Sequence, residues 1–403
     1  MAVRGMPAWR RAGGTFRSSA GLGLYLVVAA LVLVACPATA RGLAAKNAQS
    51  AALVPDSALG AHAMLFFDTP LFADDDTFSQ AVAEHASTVR LDIFLPQITD
   101  GDSQPDWTWV QRIAALAHQY RIRVLADLTG MPFWMSACPA GEPFADAYRC
   151  PAGDPGAWGQ LVGDVAAHLR GSPVSFEIWN EPDGAWTFVG AAQQYGAMLA
   201  AAVRAIHTAN PGAMVTNGGM MSTAGGGGAA WLSAALGAAG PDVWQRLSML
   251  NVHIRGLESS LAGQLHAWML FAAAHGRPQI PIWVTEAGYP ADPAYQTDPV
   301  FQGGELAQAR YVAAALRDLR NAGAAKIFVT QRDMAPGSGP FASEGVLAGL
   351  GDPISPDPQV TRRPAFYACR TFAEHTLTTG AGPPREQPGR SQLAPDTERR
   401  HES

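Results

Sequence analysis

Charge is scarce in this chain. Of its 403 residues only 15% are charged and 48% are hydrophobic, and the net charge of -6 leaves no basic face for nucleic acid. Cysteine is scarcer still, with four in all, which excludes a disulfide scaffold. No C-x-x-C or H-E-x-x-H spacing occurs and the ten histidines are scattered, so neither a metal ligand set nor a cofactor is expected. A phosphate-binding glycine motif is missing after the first strand-like run. The glycine-rich stretch "GGMMSTAGGGGAAW" lacks the Lys-Ser/Thr ending of a phosphate loop and reads as a loop lining a mouth. No internal repeat and no interdomain linker interrupts the pattern.

What is present begins with a targeting segment. Arg4, Arg10, Arg11 and Arg17 precede the apolar run "GLGLYLVVAALVLVAC", and "PATA" follows. Residues 1–40 therefore read as a secretory signal cleaved before Arg41. Two other readings stand beside it: a lipobox with Cys36 lipidated, and an uncleaved anchor. Pro37 directly after Cys36 favours simple cleavage. Each reading places the rest of the chain outside the cytoplasm, secreted or at the cell envelope, with contact to a membrane only through this N-terminus. In that oxidising setting Cys138 and Cys150 are expected to pair across a short loop, and Cys369, in a helical pattern, to be a buried thiol.

Eight apolar, often β-branched runs follow, at 63–67, 89–94, 122–127, 174–179, 213–217, 247–253, 281–286 and 326–331. Helical patterns separate them, stopping at Asn210-Pro211-Gly212, Gly276 and Gly323 as helix ends prefer. Alternation argues for a parallel sheet, and the count of eight for closure into an α/β (β/α)8 TIM barrel. The expected organisation is one barrel domain over residues 58–378, with a disulfide-pinned loop over its mouth. The polar, proline-rich tail 380–403 reads as disordered.

Active sites of this barrel lie at the C-terminal ends of its strands. Run four ends in Asn180-Glu181-Pro182 and run seven in Thr285-Glu286-Ala287. Three βα units separate them, so both carboxylates face one mouth from nearly opposite walls. Two carboxyl groups across a cleft are what glycoside hydrolysis needs: one protonates the departing oxygen, and the other attacks the anomeric carbon or activates water. The nucleophile must stay ionised, for which Arg90 and His253 are the candidate partners.

"FEIWNEPDG" with "IWVTEAGYP" resembles clan A retaining glycoside hydrolases, the first most like family 39 and the second closer to the cellulase-like family 5. The resemblance implies Glu181 as acid/base, Glu286 as nucleophile, Asn180 on the sugar 2-hydroxyl, Arg90 as the strand-two arginine and His253 as the strand-six histidine. Two residues depart from the clan pattern: Arg255 stands where a tyrosine is usual, and Gln331 where a tryptophan platform is usual. Trp134, Trp186 and Tyr289 follow runs three, four and seven and are the candidate sugar platforms. Trp107, Trp109 and Trp268 read as packing.

Structural alternatives attach to several of these. Asn180 could cap a turn, Arg90 could pair with Glu177 or Asp92 inside the barrel, and His253 could be a satisfied core residue. Asp127 and Asp68 could bind sugar hydroxyls or cap loops, and capping is the favoured reading. The function expected is an exported retaining glycosidase cleaving β-linked poly- or oligosaccharide. A non-catalytic glycan-binding barrel, suggested by Arg255 and Gln331, and a transglycosylase are the alternatives.

Overall fold

The computed structural model describes residues 52–63, 71–99, 104–138, 147–334, 337–348 and 360–379. The targeting segment 1–40 with Cys36, Asp68 and the tail 380–403 lie outside the described residues.

Strands and helices alternate along the chain. They run β1 (Leu59–His62), α1 (Leu71–Ala83), β2 (Thr88–Phe94), α2 (Thr108–Tyr120), β3 (Arg123–Thr129), α3 (Pro155–His168), β4 (Val174–Ile178) and α4 (Ala192–Ala209). Then come β5 (Val215–Asn217), α5 (Gly228–Ala239), α6 (Pro241–Arg246), β6 (Leu250–His253), α7 (Glu258–Ala274), β7 (Ile282–Ala287), α8 (Glu305–Asn321) and β8 (Lys326–Thr330). A short antiparallel pair, β9 (Leu347–Ala348) and β10 (Thr361–Arg362), precedes α9 (Pro364–Thr379). The eight core strands pair in the order β5-β4-β3-β2-β1-β8-β7-β6, all parallel. Parallel bridges Thr216–Met249 and Met220–Val252 bring β5 to β6 and complete the barrel.

Local sequence sets the helix ends. Asp154 accepts the backbone N–H groups of Gly156 and Ala157 at the start of α3, with Pro155 at its first position. Asn210 caps α4, and Gly276 and Gly323 turn the chain at positive φ after α7 and α8. Cys138 and Cys150 are disulfide-bonded and Cys369 is a buried free thiol. Around the disulfide the chain folds back on itself. Gly153 donates to the Met135 carbonyl, and Val189 of the loop after β4 donates to the Arg149 carbonyl.

The first strand differs from expectation. It occupies Leu59–His62, ahead of the apolar run at 63–67. The strand carries no side chain at position 60, because a Cβ on Gly60 would meet the Phe328 ring at 2.3 Å. A strand that must admit a neighbour's ring has no β-branched signature to read.

The barrel interior is layered. Leu125, Met249, Trp283 and Phe328 form an apolar plug at its N-terminal side. Same-face residues recur every second position in a strand. Two positions beyond Gly60, Leu125, Trp283 and Phe328 stand His62, Asp127, Thr285 and Thr330, all buried. The interior thus changes from hydrocarbon to polar within one layer, and the polar layer floors the mouth.

Candidate active site

Arg90, on β2, is fully buried at the centre of that polar layer. Its Nε donates to Glu177 Oε2 at 2.7 Å, and its Nη2 donates to Glu177 Oε1 at 3.0 Å and Asn180 Oδ1 at 2.8 Å. Nη1 reaches Glu286 Oε1 at 3.1 Å and His62 Nε2 at 2.9 Å. All five guanidinium N–H groups are thereby used. Arginine only donates, so His62 must accept at Nε2 and carry its hydrogen on Nδ1. Burial first, with the Arg90 charge adding, pushes the His62 pKa down to about 3, which agrees with a neutral ring. The two sequence readings of Arg90, buried ion pair and support for Glu286, hold together in one side chain.

Carboxylates crowd this cation. Asp92, Asp127 and Glu177 are register partners on β2, β3 and β4. Asp127 lies 3.5 Å from Arg90, and burial together with the Glu177 charge pushes its carboxyl well above the usual range. Asp92 is pushed up to about 6 by burial, against the pull of Arg90. Asp127 therefore belongs to the buried polar cluster around Arg90 and is not a loop cap.

Glu181 stands on a kink. Trp179 and Glu181 both adopt positive φ, 73° and 44°, which costs roughly 1–3 kcal/mol each for non-glycine residues. The surroundings hold them there. The fully buried Trp179 ring packs edge-on to Phe188 at 5.3 Å and donates from Nε1 to the Thr187 carbonyl. Tyr195 donates to the Ile178 carbonyl at 2.8 Å and accepts from Gly218 N at 2.8 Å, and Thr187 Oγ1 donates to the Glu181 carbonyl. The aromatic run before Asn180 is thus the clamp that turns Glu181 into the mouth. Its carboxylate meets His253 Nδ1 at Oε1, 2.8 Å away, and accepts from Trp186 Nε1 at Oε2, 2.6 Å away. His253 fits under the loop after β5 only because residue 219 is glycine: a Cβ there would lie 2.0 Å from His253 Nε2.

Glu286 arrives by a register shift. Pairing of β7 slips at Val252/His253 on one side and Val284/Ala287 on the other, which tilts the carboxylate into the mouth. Besides Arg90 it receives Arg255 Nη2 at 3.0 Å on Oε2, with His253 Nδ1 3.7 Å away. Burial opposes its charge, but the positive fields of His253, His62, Arg90 and Arg255 outweigh burial and hold the carboxyl well below its ordinary range. His62 is neutral above a pKa of about 3, so its share of that field is absent near neutral pH, while Arg90 and Arg255 stay charged.

One oxygen of Glu181, one nitrogen of His253 and one oxygen of Glu286 all lie within 4.8 Å of one another. Among the described residues no other group of histidine, cysteine and acidic side chains is placed to share a cation. Two guanidinium groups already on Glu286 weigh against a metal there, since each would repel it.

The remaining candidates divide. Trp186 is 56% exposed beside Glu181, and Trp134 is 38% exposed on the turn after β3. Tyr289 corrects its expectation. It is 3% exposed, stacked on Tyr311 at 4.1 Å, with its hydroxyl donating to the Phe301 carbonyl, so no face is open to a sugar. Gln331 is buried and donates to the Thr77 carbonyl. Trp109 and Trp268 are buried, and Trp107 stacks on His168. Sequence reasoning missed His62, because the first strand was placed too late. It read Arg255 only as a departure and had no signal for Glu344, which Arg255 also pairs with from the loop after β8.

The sequence matches no protein-family model and no curated protein. The fold does match solved structures of glycoside hydrolases. GH5_18 from Streptomyces cattleya, in complex with GlcNAc, superposes with a TM-score of 0.60 at 17% identity, covering 83% of each chain. A family 39 glycoside hydrolase from the gut symbiont Bacteroides cellulosilyticus WH2 gives 0.58 at 15% identity, over 79% of this chain and 64% of that one. The endoglucanase Cel5A of Pseudomonas stutzeri, in complex with cellobiose, gives 0.53 at 15%, over 80% and 95%. Identities this low establish a shared (β/α)8 barrel.

Proposed function

We propose that the chain is an exported retaining glycoside hydrolase acting on a β-linked poly- or oligosaccharide, with Glu181 as acid/base and Glu286 as nucleophile. The approach of their carboxylate oxygens to within 4.8 Å carries the reading. Double displacement needs carboxyl groups roughly 5–5.5 Å apart, whereas inversion needs roughly 6.5–9.5 Å to admit a water.

In the first step Glu286 attacks the anomeric carbon while the bond to the leaving oxygen breaks and Glu181 gives that oxygen its proton. In the second, Glu181 takes a proton from water as the water oxygen displaces Glu286. Arg90 and Arg255 keep Glu286 ionised for attack and stabilise it again as a leaving group. Asn180 turns its oxygen to Arg90, which leaves its amide nitrogen to meet a sugar hydroxyl. Trp186, exposed and bonded to the acid/base, suits the sugar on the leaving-group side. Arg255 supplies donors to Glu286, which supports the catalytic reading over a non-catalytic glycan-binding barrel. Export rests on the residues of the N-terminal segment.

Incubation with a panel of activated 2-fluoro glycosides, followed by peptide mass spectrometry, tests the assignment. The expected result is one sugar bound covalently to Glu286. Turnover with the label on any other residue rejects the nucleophile, and no turnover across the panel rejects the enzyme.

A further inference from the structure

Arg255 is held from several sides. Its Nη1 pairs with Glu344 Oε1, its Nη2 donates to Glu286, and its Cζ lies 5.1 Å over the ring of Phe341. Its backbone carbonyl accepts from Gln264 Nε2 at 3.0 Å. Glu344 is 3% exposed, and its other oxygen accepts from Thr330 Oγ1, at the end of β8, at 3.0 Å. Phe341 and Glu344 come from one short segment that is itself fastened. Gln308 Nε2 donates to the Glu344 carbonyl, Ala291 N to the Ser343 carbonyl, and Gly345 N to Asp333 Oδ1.

The strand that bears the nucleophile also makes room for this carboxylate. A Cβ on Gly288, two residues after Glu286, would lie 2.5 Å from Glu344 Cδ. The glycine of "TEAGYP" is therefore required by Glu344. A chain Thr330–Glu344–Arg255–Glu286 runs from β8 to the reacting carboxylate, and each link is a hydrogen bond between buried or half-buried groups.

We propose that Glu344 is a positioning residue for the double displacement: it fixes the Arg255 fork against Glu286 and offsets part of that cation's charge. The inference rests on the glycosidase reading of the same site. A buried carboxylate facing a guanidinium otherwise used by the nucleophile has two effects. It sets where the donor stands, and it limits how far the cation suppresses the nucleophile's basicity. Geometry and charge separate in two substitutions. Glu344→Ala removes both, whereas Glu344→Gln loses the charge but keeps an acceptor for Arg255, with its NH2 donating to Thr330 Oγ1 in place of the bond that Thr330 now donates.

The test is the rate of covalent trapping by the activated 2-fluoro glycoside and the acid limb of its pH dependence. With Glu344→Ala, trapping slows about tenfold or more, as expected when a group contacting the reacting atom is loosened. Glu344→Gln restores most of that rate and moves the acid limb to lower pH, because a negative neighbour of Glu286 is gone. Thr330→Val gives a smaller slowing in the same sense, in a protein whose melting curve reports folding. Glu344→Ala with an unchanged trapping rate and acid limb, in folded protein, overturns the proposal. An NMR titration of the Glu286 carboxyl carbon judges it without turnover. A lower midpoint in Glu344→Gln supports the link and an unmoved one overturns it, even where failure of the wild type to be labelled has sunk the glycosidase reading.

Discussion

Arg255 Nη2 stands 3.0 Å from Glu286 Oε2, where the clan resemblance leads one to expect a tyrosine hydroxyl. A cation in that place does more than donate a hydrogen bond, since it also favours the ionised carboxylate. The proposed mechanism needs Glu286 ionised, and its pKa is held low. Removing Arg255 lets that pKa rise, so the acid limb of kcat/KM moves to higher pH. Arg255→Met is expected to shift it by about one unit. A limb that stays in place dissociates Arg255 from the charge on Glu286.

Under the proposed mechanism Glu181→Gln removes the proton donor and leaves the nucleophile. Activity on glycosides with poor leaving groups falls by about 10²–10⁴, while activated aryl glycosides still form the covalent intermediate. A series of leaving groups measures this as a steeper dependence of rate on leaving-group acidity. Equal losses along the series would assign the acid elsewhere.

Trp186 donates from Nε1 to Glu181 Oε2 and is more than half exposed. Trp186→Phe keeps an aromatic face but loses the donor. The melting temperature is expected to change little, and kcat on poor leaving groups to drop about tenfold, the worth of a hydrogen bond to a charged group. An unchanged kcat means that the bond does not steer proton transfer.

Glu84, at the end of α1 and 2% exposed, bears on stability and not on the site. Burial pushes its pKa from 4.5 up to about 8, against the bond to Cys369 and the Arg362 charge, which lower it. The folded state therefore holds this proton more tightly than the unfolded one. Its contribution is fully present below about pH 4.5 and is lost as pH rises through about 8. Glu84→Gln is expected to flatten the fall in melting temperature across that window. Thermal melts at stepped pH that keep the wild-type slope dismiss the assignment.

The Cys138–Cys150 disulfide closes a loop with a sequence separation of 12. Replacing both cysteines by serine is expected to cost about 3 kcal/mol on the chain-entropy scale. Trp134 lies on the turn just ahead of it, so KM is expected to rise more than kcat falls. Urea unfolding and steady-state kinetics on the double variant read both effects.

The barrel was legible because burial on both faces writes strands as apolar runs, and helices between them carry their own stop signals. The first strand escaped, since its Gly60 answers to the Phe328 ring on the adjacent β8 and to nothing nearby in sequence. Glu181 and Glu286 stood out because carboxylates at the ends of apolar runs have no local reason to be there. Tyr289 misled for the converse reason. Its place after β7 suggested the mouth, while its ring was committed to Tyr311 on α8.

The amino-acid sequence by itself determined the alternation of strand and helix, and with it the meeting of Glu181 and Glu286 at one end of a barrel. Those depend on periodicity and chain order, which are local. Only the tertiary structure decided how the charges balance. The five bonds of Arg90 join β1, β2, β4 and β7, and Arg255 is shared between Glu286 and a glutamate 89 residues further along the chain. Electrostatic energy depends on distance through space, and chain order carries no record of it until the barrel closes.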